Sequence, residues 1–309
     1  MKVTRFLGVL MCLVLIPLGV LAQDGDVHTL SFDGLDRTYE LYVPESYAEG
    51  TPAPLVMVLH GAGESASGIR ASANLEALAD DTGTIVVYPN SQNSLWNYLE
   101  IPIEDETIVN DTGFLTALID QISADYTIDP ANVGVIGFSN GGLMALRLRC
   151  ELGNRLGGVV MVGSSPTFRL VDHCLGSDPV STMMVLGTTD ESFPWNGYAE
   201  VDDQNRFYSS FGVTQAVPFL SGLNHCDATL AATAEITSQI SETRVLAQIF
   251  DDCEADTQFI LLGIVDFTHR WPGGVGVQLR TGSEGTITQA MWEFIHADTR
   301  TAGQEEDAG

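Results

Sequence analysis

Several short stretches of the chain are almost wholly apolar, a pattern typical of strands that are buried on both faces of a parallel sheet. These stretches lie at 54–59, 84–88, 133–138, 157–162, 182–187 and 258–264. Between them, apolar residues recur at helical spacing at 69–79, 141–151 and 286–297, and in a helix that Asp111 caps. Two further strands, 28–32 and 38–43, flank a turn at 33–36. This alternation predicts an α/β domain, with a mostly parallel sheet and helices on both faces.

The first segment has the pattern of an export signal. Lys2 and Arg5 precede an apolar run over 6–22, and Ala22 ends that run with a small residue. We expect residues 1–22 to be a cleaved signal peptide and not a membrane anchor, because Pro17 and Gly19 interrupt the run. Residues 23–298 then form one catalytic domain, and residues 299–309 form an acidic disordered tail.

The charge balance excludes one class of partner. The 309 residues include 13 Lys and Arg against 41 Asp and Glu, a formal net charge of −28. Such a chain repels a phosphate backbone, so nucleic-acid binding is excluded. Lys2 is the only lysine, which fits either adaptation to salt or a biased composition. Outside the signal segment no stretch is long enough to span a bilayer, so we expect no stable membrane association.

Four cysteines follow the signal segment: Cys150, Cys174, Cys226 and Cys253. An even number in an exported chain indicates disulfides, of which three pairings can be drawn. Pairing of neighbours closes the shorter loops and is favoured. A zinc site is the weaker alternative, because no close pair of cysteines has the spacing of a structural zinc site.

The strongest chemical motif is Gly137-Phe138-Ser139-Asn140-Gly141, which lies between a predicted strand and a predicted helix. A nucleophile elbow requires this context, because the tight turn holds the serine hydroxyl exposed above the strand ends. The peptide N–H of Asn140 at the helix start can point towards a developing oxyanion.

The partners of a nucleophilic serine should follow at the ends of later strands, in the order acid and then base. Asp190 follows the strand 182–187, and His269 follows the strand 258–264. Glu191 is the competitor for the acid position. A catalytic triad of Ser139, Asp190 and His269 is therefore the hypothesis.

The segment His60-Gly61-Ala62-Gly63 follows the strand 54–59, where a second oxyanion donor usually arises. We assign that donor to the N–H of Ala62 and a structural role to His60. Trp96, Tyr98, Trp195 and Trp271 could form an aromatic platform for substrate. Ordinary packing is the alternative for these side chains.

These motifs together resemble a family. The segments that carry the likeness are His60-Gly61-x-Gly63, Asp111-x-x-Phe114-Leu115, Ile128-Asp129-Pro130, Gly137-x-Ser139-Asn140-Gly141-Gly142-x-Met144, Gly187-Thr188-x-Asp190-x-x-x-Pro194-x-x-Gly197 and His269-x-Trp271-Pro272-Gly273. They resemble secreted esterases of the poly(3-hydroxybutyrate) depolymerase and type-D feruloyl esterase group, over roughly residues 28–297.

The resemblance implies an α/β-hydrolase fold, with Ser139 as nucleophile, Asp190 as acid and His269 as base. It also implies the pairs Cys150–Cys174 and Cys226–Cys253. The chain departs from the family pattern at Leu186, Asn110 and residues 266–268. The changes at Leu186 and 266–268 lie near the rim of the expected site and bear on substrate choice.

The expected function is a secreted or periplasmic serine esterase that needs no metal or organic cofactor. Its substrates are expected to be small or polysaccharide-linked esters, such as feruloyl or acetyl groups on xylan. Hydrolysis of polyester oligomers is the first alternative. A catalytically inactive binding protein on a hydrolase fold and an acyltransferase are alternatives of other classes. The oligomeric state stays open.

Overall fold

The structure, a computed structural model, describes residues 27–100, 108–201, 207–227, 232–237, 240–279 and 282–297. The expected signal peptide (1–22) and the expected acidic tail (299–309) lie outside these residues. In the described part, no helix combines the length and the apolar character needed to cross a membrane.

The described residues include fourteen strands and seven α-helices. The strands are β1 (Val27–Phe32), β2 (Leu35–Tyr42), β3 (Ala53–Leu59), β4 (Ile85–Pro89), β5 (Ile128–Phe138), β6 (Gly158–Val162), β7 (Thr182–Gly187), β8 (Gly197–Val201), β9 (Phe207–Phe211), β10 (Ala232–Thr237), β11 (Arg244–Phe250), β12 (Phe259–Ile264), β13 (Gly276–Gln278) and β14 (Glu284–Thr286). The helices are α1 (Ala66–Ala73), α2 (Glu76–Thr82), α3 (Asp111–Asp125), α4 (Asn140–Leu152), α5 (Phe168–Cys174), α6 (Val213–Leu223) and α7 (Ile287–Ile295).

Ten of these strands form one sheet, in the order β1-β2-β4-β3-β5-β6-β7-β12-β11-β10. The six central strands, from β4 to β12, are parallel to one another. Antiparallel pairs extend the sheet at both edges. The mostly parallel sheet expected from the sequence is thus confirmed. The carboxyl ends of β3, β5, β7 and β12 all lie on the same side of the sheet, at the ends of parallel strands.

Both faces of the sheet are covered. In β3, Val56 and Val58 pack with residues of α1, α2 and α7, whereas Leu55 and Met57 pack on the opposite face with residues of α3 and α4. Alternate residues of a strand point to opposite faces, so a strand covered twice has to be apolar throughout. This double coverage explains the uninterrupted apolar runs.

Two local predictions were wrong. The helix expected over 69–79 is two helices, because Asn74 adopts the left-handed conformation (φ 49°) that ends α1. The cap of α3 is Asn110, whose side-chain oxygen accepts the Gly113 N–H at 2.7 Å. Asp111, expected to be the cap, is the first residue of the helix and its carboxylate is buried.

Both cysteine pairs are disulfides in the structure, in the pairing of neighbours. The bridge Cys150–Cys174 joins α4 to α5, and Cys226–Cys253 joins the segment after α6 to the segment after β11. Since all four cysteines are bonded in these pairs, none is a zinc ligand.

Replacing Cys150 and Cys174 together with alanine should lower the free energy of unfolding by about 2–4 kcal/mol, because the bridge restricts the unfolded chain. Replacing Cys226 and Cys253 together should have a similar effect, since the two disulfides span similar sequence separations of 24 and 27 residues. Denaturant unfolding of the two double variants measures this. The control is denaturant unfolding of the wild type in the presence of a reductant, which opens both disulfides. If the double variants are as stable as the oxidised wild type, the expectation is contradicted.

Candidate active site

Ser139 lies on a sharp turn between β5 and α4, with φ 53° and ψ −119°. The turn leaves no room for a side chain at Gly137 or Gly141. A Cβ added to Gly137 would lie 2.1 Å from the carbonyl oxygen of Gly141, and one added to Gly141 would lie 2.5 Å from that of His60. The glycines therefore allow the end of β3, the turn and the start of α4 to touch through backbone alone.

Three side chains from three strand ends form a hydrogen-bonded chain. His269 Nε2 lies 2.9 Å from Ser139 Oγ, and His269 Nδ1 lies 2.9 Å from Asp190 Oδ2. The second carboxylate oxygen of Asp190 accepts the backbone N–H groups of Ser192 and Phe193 at 2.9 and 2.8 Å. These bonds orient the buried carboxylate towards the imidazole and leave the serine hydroxyl to donate to Nε2.

The geometry also decides between the two candidate acids. Asp190 is 3% exposed and bonded to His269, whereas Glu191 is exposed to solvent. Only Asp190 is in contact with the imidazole. The His269 ring is flanked by two aromatic rings, Phe138 at 5.1 Å and Phe193 at 5.9 Å between centroids.

The turn after β3 presents a backbone donor beside Ser139. The Gly61 N–H donates to Glu64 Oε2, the Gly63 N–H donates to the Ser94 carbonyl, and the Glu64 N–H donates to the Gly61 carbonyl. In the described part of the chain, the N–H of Ala62 has no such partner, and Ala62 lines the same cavity as Ser139 and Asn140. This arrangement leaves the Ala62 and Asn140 N–H groups as the candidates for an oxyanion hole.

His60 holds that turn in place and does not contact the serine. Its Nδ1 donates to Gly61 O at 2.7 Å, and its Nε2 accepts the Ser91 N–H at 3.1 Å. One nitrogen donates and the other accepts, which is the pattern of a neutral imidazole. Burial favours this neutral form because it lowers the pKa of His60. The structural role predicted for His60 fits these contacts.

The loop that carries Trp96 is fixed from two sides. The Asn140 side chain accepts the Trp96 N–H at 2.7 Å and donates to the Trp96 carbonyl at 3.2 Å. Asp111 accepts the Asn97 N–H at 2.7 Å and is paired with Arg37 at 2.6 Å. This positioning role of Asp111 was not predicted from the sequence, because its partner Arg37 is 74 residues away along the chain.

A cavity of about 410 Å³ opens beside Ser139. Aromatic side chains form much of its wall: Trp96, Tyr98, Phe193, Tyr198 and Tyr208. Trp96 is 1% exposed, and its indole N–H donates to the His60 carbonyl at 2.9 Å, so only a small part of it faces the cavity.

Two of the predicted substrate residues lie elsewhere. Trp195 is not part of this cavity wall; its ring covers Gly263 of β12, where an added Cβ would lie 2.5 Å from the indole. Trp271 lines a separate groove and bonds Thr288 Oγ1 at 3.3 Å. The prediction that they form the platform is corrected, because each is engaged in packing outside the cavity.

Three aromatic residues of the cavity wall, Phe193, Tyr198 and Tyr208, were not predicted from the sequence. Tyr198 and Tyr208 lie on the same face of the β8–β9 hairpin, since Tyr198 is opposite Ser210 in the register. The available signal was the aromatic content of the two short segments 197–201 and 207–211, which does not reveal that the hairpin packs beside Ser139. In the described residues no group of three or more His, Cys, Asp or Glu side chains is arranged to hold a metal ion.

Comparison with known proteins is consistent with this geometry. A family model described as "Putative esterase" matches residues 33–209, more than half of the chain. "Putative esterase NocK" of Nocardia uniformis subsp. tsuyamanensis is 32% identical over 171 residues, which cover 53% of this chain and 48% of that protein. The chain therefore matches only about half the length of this relative.

A second relative matches over more of its length. "Feruloyl esterase C" of Emericella nidulans is 28% identical over 269 residues, 84% of each chain. Among solved structures, an acetyl xylan esterase from Aspergillus awamori superposes with a TM-score of 0.56 at 14% identity, over 79% of this chain and 94% of that one. At that identity the superposition supports the α/β-hydrolase fold alone.

The buried neutral His60 should make stability depend on pH. Because its pKa is lowered in the folded state, the unfolded chain binds the proton more readily below about pH 6.5. Its contribution to stability is complete above that pH and is lost as the pH falls, by at most about 1.4 kcal/mol per pH unit.

The free energy of unfolding, measured at about pH 7.5 and about pH 5.5, tests this expectation. The decrease on acidification should be smaller in His60→Asn than in the wild type. His173→Asn, at an exposed position, is the matched control and should keep the wild-type decrease. Equal decreases in all three proteins would show that His60 does not carry the effect.

Proposed function

The chain belongs to the esterase family whose model matches residues 33–209, and from this we propose that it is a serine carboxylic-ester hydrolase. The observation that carries the proposal is the chain of contacts Ser139–His269–Asp190, with 2.9 Å at each step. A serine hydroxyl needs a base and an orienting carboxylate to become a nucleophile, and this arrangement supplies both.

In the proposed reaction, Ser139 Oγ attacks the ester carbonyl while His269 Nε2 takes its proton. Asp190 accepts the hydrogen bond from Nδ1–H, fixes the tautomer and stabilises the imidazolium. The N–H groups of Ala62 and Asn140 bind the oxyanion, each contributing about 2.7–4 kcal/mol by analogy with other donors of this kind. His269 then protonates the departing alcohol, and a water molecule activated by the same imidazole resolves the acyl-enzyme.

The proposed substrates are feruloyl or acetyl esters on xylan, with a preference for the feruloyl group. Two observations support this choice. The relative named feruloyl esterase C matches over 84% of both chains. The cavity of about 410 Å³, lined by Tyr98, Phe193, Tyr198 and Tyr208, offers more room and more aromatic surface than an acetyl group uses.

We also propose that the protein is exported, with residues 1–22 removed, and that residues 23–298 act as one catalytic domain. The two disulfides fit an oxidising compartment. The sheet that continues from β1 to β10 fits one domain.

Asp190→Asn should lower kcat by about 10⁴-fold, because an amide no longer holds the imidazole in the productive tautomer. Glu191→Gln changes an exposed neighbour and should keep kcat within about twofold of the wild type. Initial rates on one ester substrate, with melting temperatures for both variants, measure the difference. Similar losses in the two variants would contradict the proposed role of Asp190.

Hydrolysis of methyl ferulate and of a 3-hydroxybutyrate oligomer should be compared in parallel, with Ser139→Ala as the blank. We expect kcat/KM to favour ferulate by at least about tenfold, since one or two aromatic contacts amount to about 1.4 kcal/mol. The reverse preference would support the polyester alternative. A folded wild type that binds ferulate but hydrolyses neither substrate would support the inactive binding protein.

A further inference from the structure

Arg169 contributes a positive charge to the wall of the cavity beside Ser139. It lies in the first turn of α5 and is exposed. The other described residues of the wall are uncharged, and none of them is an aspartate or glutamate. The described wall is therefore positive in a chain whose formal net charge is −28.

Arg169 has no ion pair and no hydrogen bond within the described residues, and in this it differs from most arginines of that part of the chain. Five of the others are paired with carboxylates, namely Arg37, Arg70, Arg147, Arg155 and Arg244. Arg149 donates to the neutral oxygens of Ser177, Leu223 and Asn224. Arg270 lies over the Phe267 ring at 4.4 Å.

The place of Arg169 is also unfavourable for folding. A helix begins with the positive end of its dipole, so a cation in the first turn is repelled and not stabilised. Carboxylates are abundant in this chain, yet none among the described residues neutralises this guanidinium. Neither the helix dipole nor an ion pair among the described residues therefore stabilises an arginine at this position.

We propose that Arg169 binds a carboxylate of the substrate at a distance from the scissile ester. This inference rests on the proposed esterase function and adds a subsite to it. A guanidinium offers paired N–H donors that match the two oxygens of a carboxylate. Tyr198, Tyr208 and Ser209, three residues that carry hydroxyl groups, line the same wall.

Two kinds of ester carry such a carboxylate. One is a feruloylated xylo-oligosaccharide with a uronic acid branch, and the other is a 3-hydroxybutyrate oligomer with a free terminal acid. Each has a neutral counterpart: the unbranched oligosaccharide and the oligomer with a terminal amide. Within each pair, the difference in KM between the acidic and the neutral member measures the contact with the carboxylate. The pair in which this difference depends on Arg169 shows which of the two acids the residue binds.

Arg169→Gln should raise KM for the acidic member of one pair by about three- to tenfold, with kcat and the neutral member unchanged. Arg169→Lys keeps the charge without the paired donors and should recover part of the loss. Arg155→Gln removes another exposed arginine, one paired with Asp120, and should leave both KM values unchanged. Equal changes in KM for the acidic and neutral members would overturn the subsite.

A binding measurement separates this inference from the proposed function. In a Ser139→Ala background, calorimetric titration of the uronic acid oligosaccharide and of the 3-hydroxybutyrate oligomer should show weaker binding of one of them when Arg169→Gln is added. Unchanged affinity for both ligands would refute the subsite, whatever the wild type hydrolyses. Failure of the wild type to hydrolyse any of the neutral esters would instead contradict the esterase function.

Discussion

The site depends on a contact between backbone segments. The start of α4 lies so close to the end of β3 that the carbonyls of Leu59 and His60 occupy the space where a Cβ of Gly141 would stand. This approach forces Ser139 into a positive φ and brings the turn with Ala62 beside the serine. The strain of a non-glycine residue at such a φ, about 1–3 kcal/mol, is offset by the surrounding sheet. A side chain at Gly141 would separate the two segments, and one at Gly137 would press on the backbone of Gly141 and Gly142 at the start of α4. Either change would distort the serine and the donors together.

The sequence could predict the parts of the site that belong to the sheet. Ser139, Asp190 and His269 each follow an apolar strand, and parallel strands end at the same edge, so their proximity follows from local pattern alone. Asn74 shows the opposite case, because helical periodicity continues across 69–79 although the backbone breaks there. Cap positions are similarly ambiguous: Asn110 and Asp111 are both good capping residues, and only the buried pair with Arg37 decides which one turns inward.

The cavity wall was harder to predict for a physical reason. Besides Ala62 and residues of 139–143, its lining residues come from separate segments at 95–99, 167–169, 193–198 and 208–209, which meet only after the sheet has formed. No periodicity within one segment specifies how it packs on another. Trp195 and Trp271 were plausible by residue type, yet each packs elsewhere, while Tyr198 and Tyr208 reach the cavity through the β8–β9 hairpin. The chemistry of the strand ends and the shape of the cavity are therefore encoded in different parts of the chain.

The two rings that flank His269 affect the charge that the imidazole acquires during the proposed reaction. Phe138 is nearly parallel to the imidazole, at an angle of 25°, and Phe193 is tilted by 31°. The faces of aromatic rings attract cations, so an imidazolium here would be stabilised by Asp190 in its plane and by two π systems. The same rings shield it from water, which would otherwise compete for its proton. The positive charge of the protonated base would thus be stabilised by groups in direct contact with the imidazole. A second carboxylate is not needed, although the chain is rich in carboxylates.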